Sequence, residues 1–223
     1  MIKLNDSRKA FTLLELVFVI AIIGILVAAI IPRVKENSLQ EAAHQLVSHI
    51  RYTQHLALND DKYRSTDDEW YKKRWQLIFS RAIKPDDDVG YTIFSDHPDR
   101  ARVAGDPDIS EIATNPGDKN RLLTGGFSSS IQSDNSKVTQ KLNIEKSYGI
   151  VDVHFRGGCG GRSLRLSFDY LGRPIKGDLD TTSSAYKQNR MIHSQCLIVL
   201  TSYNGDEITI AVEAETGYSH IIF

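Results

Sequence analysis

Residues 11–31 read FTLLELVFVIAIIGILVAAII, and this stretch decides how the chain begins its fold. Only Thr12 and Glu15 are polar among these 21 residues. A helix of that length extends about 31 Å, which matches the thickness of a bilayer's hydrocarbon core. A helix of a soluble protein normally keeps one polar face, and this run has none. The stretch therefore predicts a transmembrane helix over residues 11–31.

The ten residues before this run, MIKLNDSRKA, form a short basic leader. Its basic residues favour the cytoplasmic side of a membrane, although Arg33 and Lys35 behind the run carry the same charge. An ordinary secretory signal has a shorter apolar core and is cut behind it. Here the candidate cleavage site lies in front of the run, between Ala10 and Phe11. We therefore expect residues 1–10 to be a leader peptide.

Glu15 is the charged residue inside the apolar run, and a carboxylate there is costly in a membrane. One interpretation is an acid near the lipid headgroups that snorkels to water or takes up a proton. The other is a carboxylate that pairs with a cation from another chain. Cleavage after Ala10 would create an amino group on Phe11, four residues before Glu15, and in a staggered bundle Glu15 could reach the amine of a neighbour.

Residues 8–16, RKAFTLLEL, followed by an apolar run that ends at Pro32, closely resemble the N-terminus of type IV pilins and type II secretion pseudopilins. The resemblance implies that a prepilin peptidase cuts before Phe11 and methylates its amine. It also implies that Glu15 is needed for ordered filament assembly and that Pro32 kinks the helix. The family usually has Gly before the cut, where this chain has Ala10, which is the next smallest residue.

The pattern becomes amphipathic behind the apolar run. Apolar residues recur at three- and four-residue steps, which predicts that the helix continues over residues 32–60 with one buried stripe. Strands are predicted for a hairpin at 75–80 and 91–94, and at 149–155, 163–168, 196–203, 207–212 and 218–222. Residues 97–140 are rich in Gly, Pro, Ser, Thr, Asn and Asp, so we expect a polar insertion with little regular structure.

The predicted fold class is α+β, with a long N-terminal helix, first transmembrane and then amphipathic, packed on an antiparallel β-sheet domain over residues 61–223. The C-terminal segments FDYLGRP (168–174), ITI (208–210) and ETGY (215–218) resemble H-type minor pseudopilins and FimT-like minor pilins. That subgroup has the same pilin-like architecture.

The chain has two cysteines, Cys159 and Cys196. An exported domain would meet an oxidising compartment, which permits a disulfide between them. The alternative is two unpaired thiols, one in a loop and one at the start of a strand.

Basic residues cluster locally around a glycine-rich segment, RGGCGGR, at residues 156–162. A strand rather than a helix is predicted to follow, so a hairpin loop is favoured over a phosphate-binding loop. Arg162 and Arg165 could hold DNA phosphates electrostatically. Solvated strand ends are the alternative explanation for the same two arginines.

The composition and the remaining motifs exclude several functions. Among 223 residues, 27 are basic and 28 acidic, so the whole chain is not a polycation that coats nucleic acid. The seven histidines show no paired-ligand spacing, and the acidic runs lack the spacing of a calcium loop. No nucleotide-binding or nucleophile motif is present in the sequence. We therefore expect no enzyme activity, no metal and no cofactor.

These observations lead to the hypothesis of a filament subunit of a type II secretion system or a type IV pilus. Its expected partners are prepilin peptidase, other pilins or pseudopilins, and an inner-membrane assembly platform. The precursor is expected in a bacterial inner membrane as a single-pass protein with a periplasmic C-terminal domain. Two alternatives stay open, namely a minor pilin that binds DNA for uptake and an unprocessed single-pass membrane protein.

Overall fold

The computed structural model describes residues 12–97, 105–127 and 130–222, with only the backbone described at residues 28–37 and 82. The chain divides into two compact units, Met1–Ser38 and Leu39–Phe223. Helix α1, Leu13–Asn59, supplies residues to both. No helix within the described residues is both long enough and apolar enough to qualify as a membrane span, so the transmembrane part of the prediction is not confirmed.

Residues 39–59 of α1 belong to the second unit and bury one stripe. The buried side chains recur at three- and four-residue steps, as the sequence pattern predicts: Leu39, Ala42, Ala43, Leu46, Val47, Ile50, Thr53 and Ala57. The helix ends at Asn59, and extended and turn structure follows it.

Two four-stranded antiparallel sheets pack with this half of α1. The first has the order β2-β1-β6-β7, with β1 Trp75–Ile83, β2 Asp88–Ser95, β6 Arg165–Phe168 and β7 Pro174–Lys176. The second has the order β10-β9-β8-β5, with β5 Ile150–Gly157, β8 Cys196–Ser202, β9 Glu207–Val212 and β10 Ser219–Ile222. Observed strand ends lie close to the predicted ones because the period-two apolar pattern marks them. The fold is therefore α+β with antiparallel sheets, as expected.

One hydrophobic core joins α1 to both sheets. Phe79 of the first sheet meets Phe155 of the second edge to face, with ring centroids 5.9 Å apart. On the helix side, the Nδ1 atom of His49 lies 2.6 Å from the hydroxyl oxygen of the buried Tyr91. Polar contacts thus hold the register of α1 against the first sheet.

The predicted polar insertion is more ordered than the sequence suggested. Its described part contains β3 Thr114–Asn115 and β4 Asp118–Leu122, and two short helices follow, the 3₁₀ turn Gln140–Leu142 and α2 Ile144–Tyr148. A small second core packs its apolar residues against the first sheet: Ile78, Phe94, Ile112, Phe127, Ile131 and Val138. Among the described residues of this segment only the seven of β3 and β4 lie in strands, so regular structure there is limited, but a few apolar side chains among many turn residues suffice to dock it. One further 3₁₀ turn, Trp70–Lys73, precedes β1.

Candidate functional site

The start of α1 is closed by a reciprocal pair of contacts between Thr12 and Glu15. The backbone amide of Thr12 donates to Oε2 of Glu15 at 2.9 Å, and the amide of Glu15 donates to Oγ1 of Thr12 at 3.2 Å. The Thr12 hydroxyl also donates to Oε2 of Glu15 at 2.9 Å. This arrangement is a capping box, in which the N-cap residue and the third helical residue satisfy each other's amides. The pattern Thr-x-x-Glu is the sequence signal for this cap, whereas the prediction above rests only on the charge of Glu15.

The capping box places a carboxylate at the positive end of the helix dipole. Both contacts from Thr12 use the same oxygen, Oε2, and Oε1 accepts no hydrogen bond from a described residue. Glu15 is therefore held in the first turn with one oxygen still able to accept from a cation. Ala10 and Phe11, the predicted cleavage and methylation positions, lie outside the described residues.

The described side chains of the first turns of α1 form a continuous apolar surface. Twelve large apolar side chains between Leu13 and Val27 are exposed, at 47–82% of their full area. They lie on all sides of the helix, because they occupy nearly every position of the run. Exposed apolar patches much beyond a few hundred Å² mark surfaces that bind a partner or a membrane. This helix therefore needs a lipid or protein environment around it.

Pro32 lies within α1, and the helical assignment continues through it. Only the backbone of Pro32 is described. The kink expected there stays a prediction.

The structure pairs Cys159 with Cys196, which confirms the disulfide that the sequence permits. Both residues are buried, and their Cα atoms lie 4.9 Å apart. The bond joins the loop behind β5 to the first residue of β8, so it closes the excursion of the chain through β6 and β7. In the chain-entropy model, a disulfide that closes a loop of 37 positions stabilises the folded state by about 4 kcal/mol.

The two arginines of the proposed DNA contact have different environments. Arg165 is only 8% exposed. Its guanidinium pairs with Asp106 at 3.1 Å and with Asp178 at 3.2 Å, and it also donates to the carbonyl of Gly105. Arg165 therefore does not face solvent, and placing it on a DNA-binding surface was wrong. The reason is that β6 is buried on both faces.

Arg162 is exposed and lies on a different basic surface from the one expected. It lines an open cavity of about 310 Å³ together with Lys176 and Arg190. The other lining residues are uncharged: Cys159, Gly160, Gly161, Ser163, Gly177 and Asn189. Arg190 could not be predicted as a member of this surface, because it lies 28 positions from Arg162 and only the fold brings them together.

No metal centre emerges among residues 12–97, 105–127 and 130–222, since no three His, Cys, Asp or Glu side chains there are grouped to hold an ion.

Asp96 is buried, and its pKa is the most strongly shifted among the described carboxyl groups. Burial, and then the charge of Glu111, raise the pKa of Asp96 to about 7. Its Oδ2 accepts from the amide of Gly105 at 2.9 Å.

Residues 5–31 match the family described as the prokaryotic N-terminal methylation motif, which is the type IV pilin-like signal. The match covers the second half of the predicted leader, the predicted cleavage position and the apolar run. Comparisons with curated proteins and with solved structures find no significant match. The methylation motif fits a type IV pilin-like subunit that a prepilin peptidase processes.

Proposed function

We propose that this chain is a type IV pilin-like subunit, cut between Ala10 and Phe11, methylated on Phe11, and then assembled into a helical filament. The observation that carries the proposal is the methylation motif over residues 5–31, placed on a helix whose apolar side chains are exposed on all sides. The filament belongs to a type II secretion system or a type IV pilus. Within that family we assign the chain to the H-type or FimT-like minor subunits.

The exposed apolar helix suits a subunit that lies first in a membrane and later in a filament. Before cleavage it lies in the inner membrane, with the leader in the cytoplasm and the globular unit in the periplasm. The disulfide between Cys159 and Cys196 supports the periplasmic side, because that compartment is oxidising. After cleavage the assembly platform transfers the helix into the filament, where neighbouring helices replace lipid. Burial of apolar area between subunits contributes about 25 cal/mol per Å².

Glu15 sets the register between subunits in this mechanism. The capping box already holds the carboxylate in the first turn, and the Oε1 atom of Glu15, which accepts from no described residue, can accept from the methylated Phe11 amine of a neighbour. Such a pair in an apolar surrounding specifies geometry even where its net energy is small. A head-to-tail contact of this kind repeats without closing and therefore grows a filament.

Mass spectrometry of the N-terminus tests the proposal directly. The full chain is produced with and without a prepilin peptidase and then digested. We expect a mature chain that begins at methylated Phe11 only when the peptidase is present. An intact Met1 in the presence of active peptidase would contradict the proposal and would favour the unprocessed single-pass membrane protein.

DNA binding is a second candidate function, supported by the cavity that Arg162, Lys176 and Arg190 line, because its described lining contains no acidic residue. The test is retention of duplex DNA by the full chain with Arg162→Ala and Arg190→Ala combined. We expect loss of retention and a shallower salt dependence, because phosphate contacts release counterions. Arg64→Ala removes an exposed arginine elsewhere and serves as the control. Unchanged retention in the double variant would exclude this surface.

A further inference from the structure

A second open cavity, of about 370 Å³, lies at the C-terminal end of α1. It is lined by four aromatic side chains and one carboxylate: Tyr63, Trp70, Tyr170, Tyr186 and Asp61. The three tyrosines are 38–54% exposed, so their rings are available at the surface. They come from three distant segments: the stretch behind α1, the turn between β6 and β7, and the loop between β7 and β8. The filament proposal uses none of these residues.

A buried cation holds two of the rings in place. Arg74 is 3% exposed, and its guanidinium carbon lies 4.9 Å from the ring centroid of Trp70 and 4.7 Å from that of Tyr186. Its Nη1 donates to the carbonyl of Ala185 at 2.7 Å, whereas its Nε and Nη2 atoms are buried without a hydrogen-bond partner among the described residues. Burying a charge so incompletely paired is costly. Its contacts with Trp70 and Tyr186 connect both rings to one buried side chain.

A second arginine supports the same wall. The guanidinium carbon of Arg173 lies 5.3 Å from the ring centroid of Tyr186. Arg173 is itself fixed by Asp169, a fully buried carboxylate at 2.7 Å. The cavity thus has walls that are ordered before a ligand arrives, which lowers the entropic cost of binding.

The charges around the cavity select the kind of ligand. Asp61 accepts from the amide of Tyr63 at 3.0 Å and forms no ion pair with another described residue. A carboxylate among aromatic rings could also suit an organic cation. However, Trp70 and Tyr186 already interact with the guanidinium groups behind them, and a further cation on these rings would be repelled by Arg74. A neutral ligand with flat apolar faces and hydroxyl groups meets no such repulsion.

We propose that this cavity binds a neutral saccharide. The C–H face of a pyranose ring packs on an exposed tyrosine ring, and its hydroxyl groups donate to the carboxylate of Asp61. The cavity lies within the usual volume range for small-ligand sites, about 300–1,000 Å³. The inference concerns the globular unit alone and does not depend on filament assembly.

The test uses the full chain in a polyoxyethylene detergent, which carries neither a sugar nor a quaternary ammonium headgroup. The probes are an array of neutral glycans and, separately, choline chloride. We expect binding of at least one neutral glycan, weakened about tenfold or more by Tyr170→Ala and by Asp61→Asn. Tyr203→Ala removes an exposed tyrosine outside the cavity and should leave the affinity unchanged.

Three results would overturn the inference. They are the absence of binding to every neutral glycan, binding that neither cavity variant weakens, and recognition of choline in place of glycans. Circular dichroism of each variant verifies that the fold is retained. Filament assembly is measured on the same variants and should be unaffected, so a failure of this inference is separate from a failure of the proposed function.

Discussion

Thr12 and Glu15 satisfy each other at the start of α1, with the Thr12 amide 2.9 Å from Oε2 of Glu15 and the Glu15 amide 3.2 Å from Oγ1 of Thr12. The acid therefore has a local role before any neighbour arrives. It caps the helix, and it also places a negative charge in the first turn. The two roles need different properties of the side chain, because capping needs an acceptor and pairing with an amine needs a charge.

Glu15→Gln separates these roles. The amide oxygen of Gln still accepts from the Thr12 amide, so the cap is retained, but the charge is removed. We expect normal cleavage and methylation, measured by mass spectrometry, and a loss of filaments, measured by electron microscopy.

Thr12→Ala is the matched control, because it removes the cap and keeps the charge. It should weaken the first turn by about 1 kcal/mol, seen as faster amide exchange, and filaments should still form. Filaments from Glu15→Gln at the wild-type rate would show that capping is sufficient and that the ion pair is not required.

Removing the disulfide should destabilise the globular unit. Cys159→Ala combined with Cys196→Ala opens the loop that contains β6 and β7, and we expect a loss of about 4 kcal/mol in the free energy of unfolding by urea. The wild-type chain under reducing conditions is the control and should lose a similar amount. An unchanged unfolding midpoint in both would show that the bond contributes little.

His49 should make stability depend on pH in a defined window. Burial lowers the pKa of His49 to about 4 from an ordinary value of 6.5. Between these values the unfolded chain binds a proton at this histidine that the folded chain does not, so the contribution of His49 to stability rises with pH from about 4 to about 6.5 and is level above that. The raised pKa of Asp96 contributes in the opposite direction, so the His49 contribution is read from the difference between variant and wild type. His49→Gln should remove this part of the slope, which is worth about 3 kcal/mol over the window. His44→Gln, on the exposed face of α1, should keep the slope, and equal slopes in all three proteins would refute the assignment.

Arg165 and Arg162 should differ sharply in their effect on stability. Arg165→Met leaves the partly exposed Asp106 and Asp178 without their shared cation and removes the hydrogen bonds of a buried guanidinium, which should cost about 2 kcal/mol. Arg162→Ala changes an exposed side chain and should alter stability by about 0.5 kcal/mol or less. Chemical denaturation measures both, and equal effects would contradict the difference in burial.

Local patterns predicted the elements well. The apolar stripe of α1 and the strands of both sheets except β7 follow from periodicity within one segment, and the disulfide follows from the presence of two cysteines in a domain expected outside the cytoplasm. The pattern Thr-x-x-Glu also predicts the cap between Thr12 and Glu15, but the prediction used only the charge of Glu15. The order within residues 97–140 was missed because composition counts turn residues and overlooks a few apolar side chains such as Phe127 and Ile131.

The sequence by itself determined the N-terminal signal, because the methylation motif lies within residues 5–31 and needs no tertiary contact to be recognised. Only the tertiary structure decided which basic side chains face solvent and which aromatic rings meet. Arg165 is buried by acids that lie elsewhere in the chain, and Tyr63 and Tyr186 line one cavity although 123 positions separate them. The apolar pattern of a segment shows which of its faces is buried within one helix or strand. The burial of an individual arginine, and the meeting of distant side chains in one cavity, depend on how the helices and strands pack together.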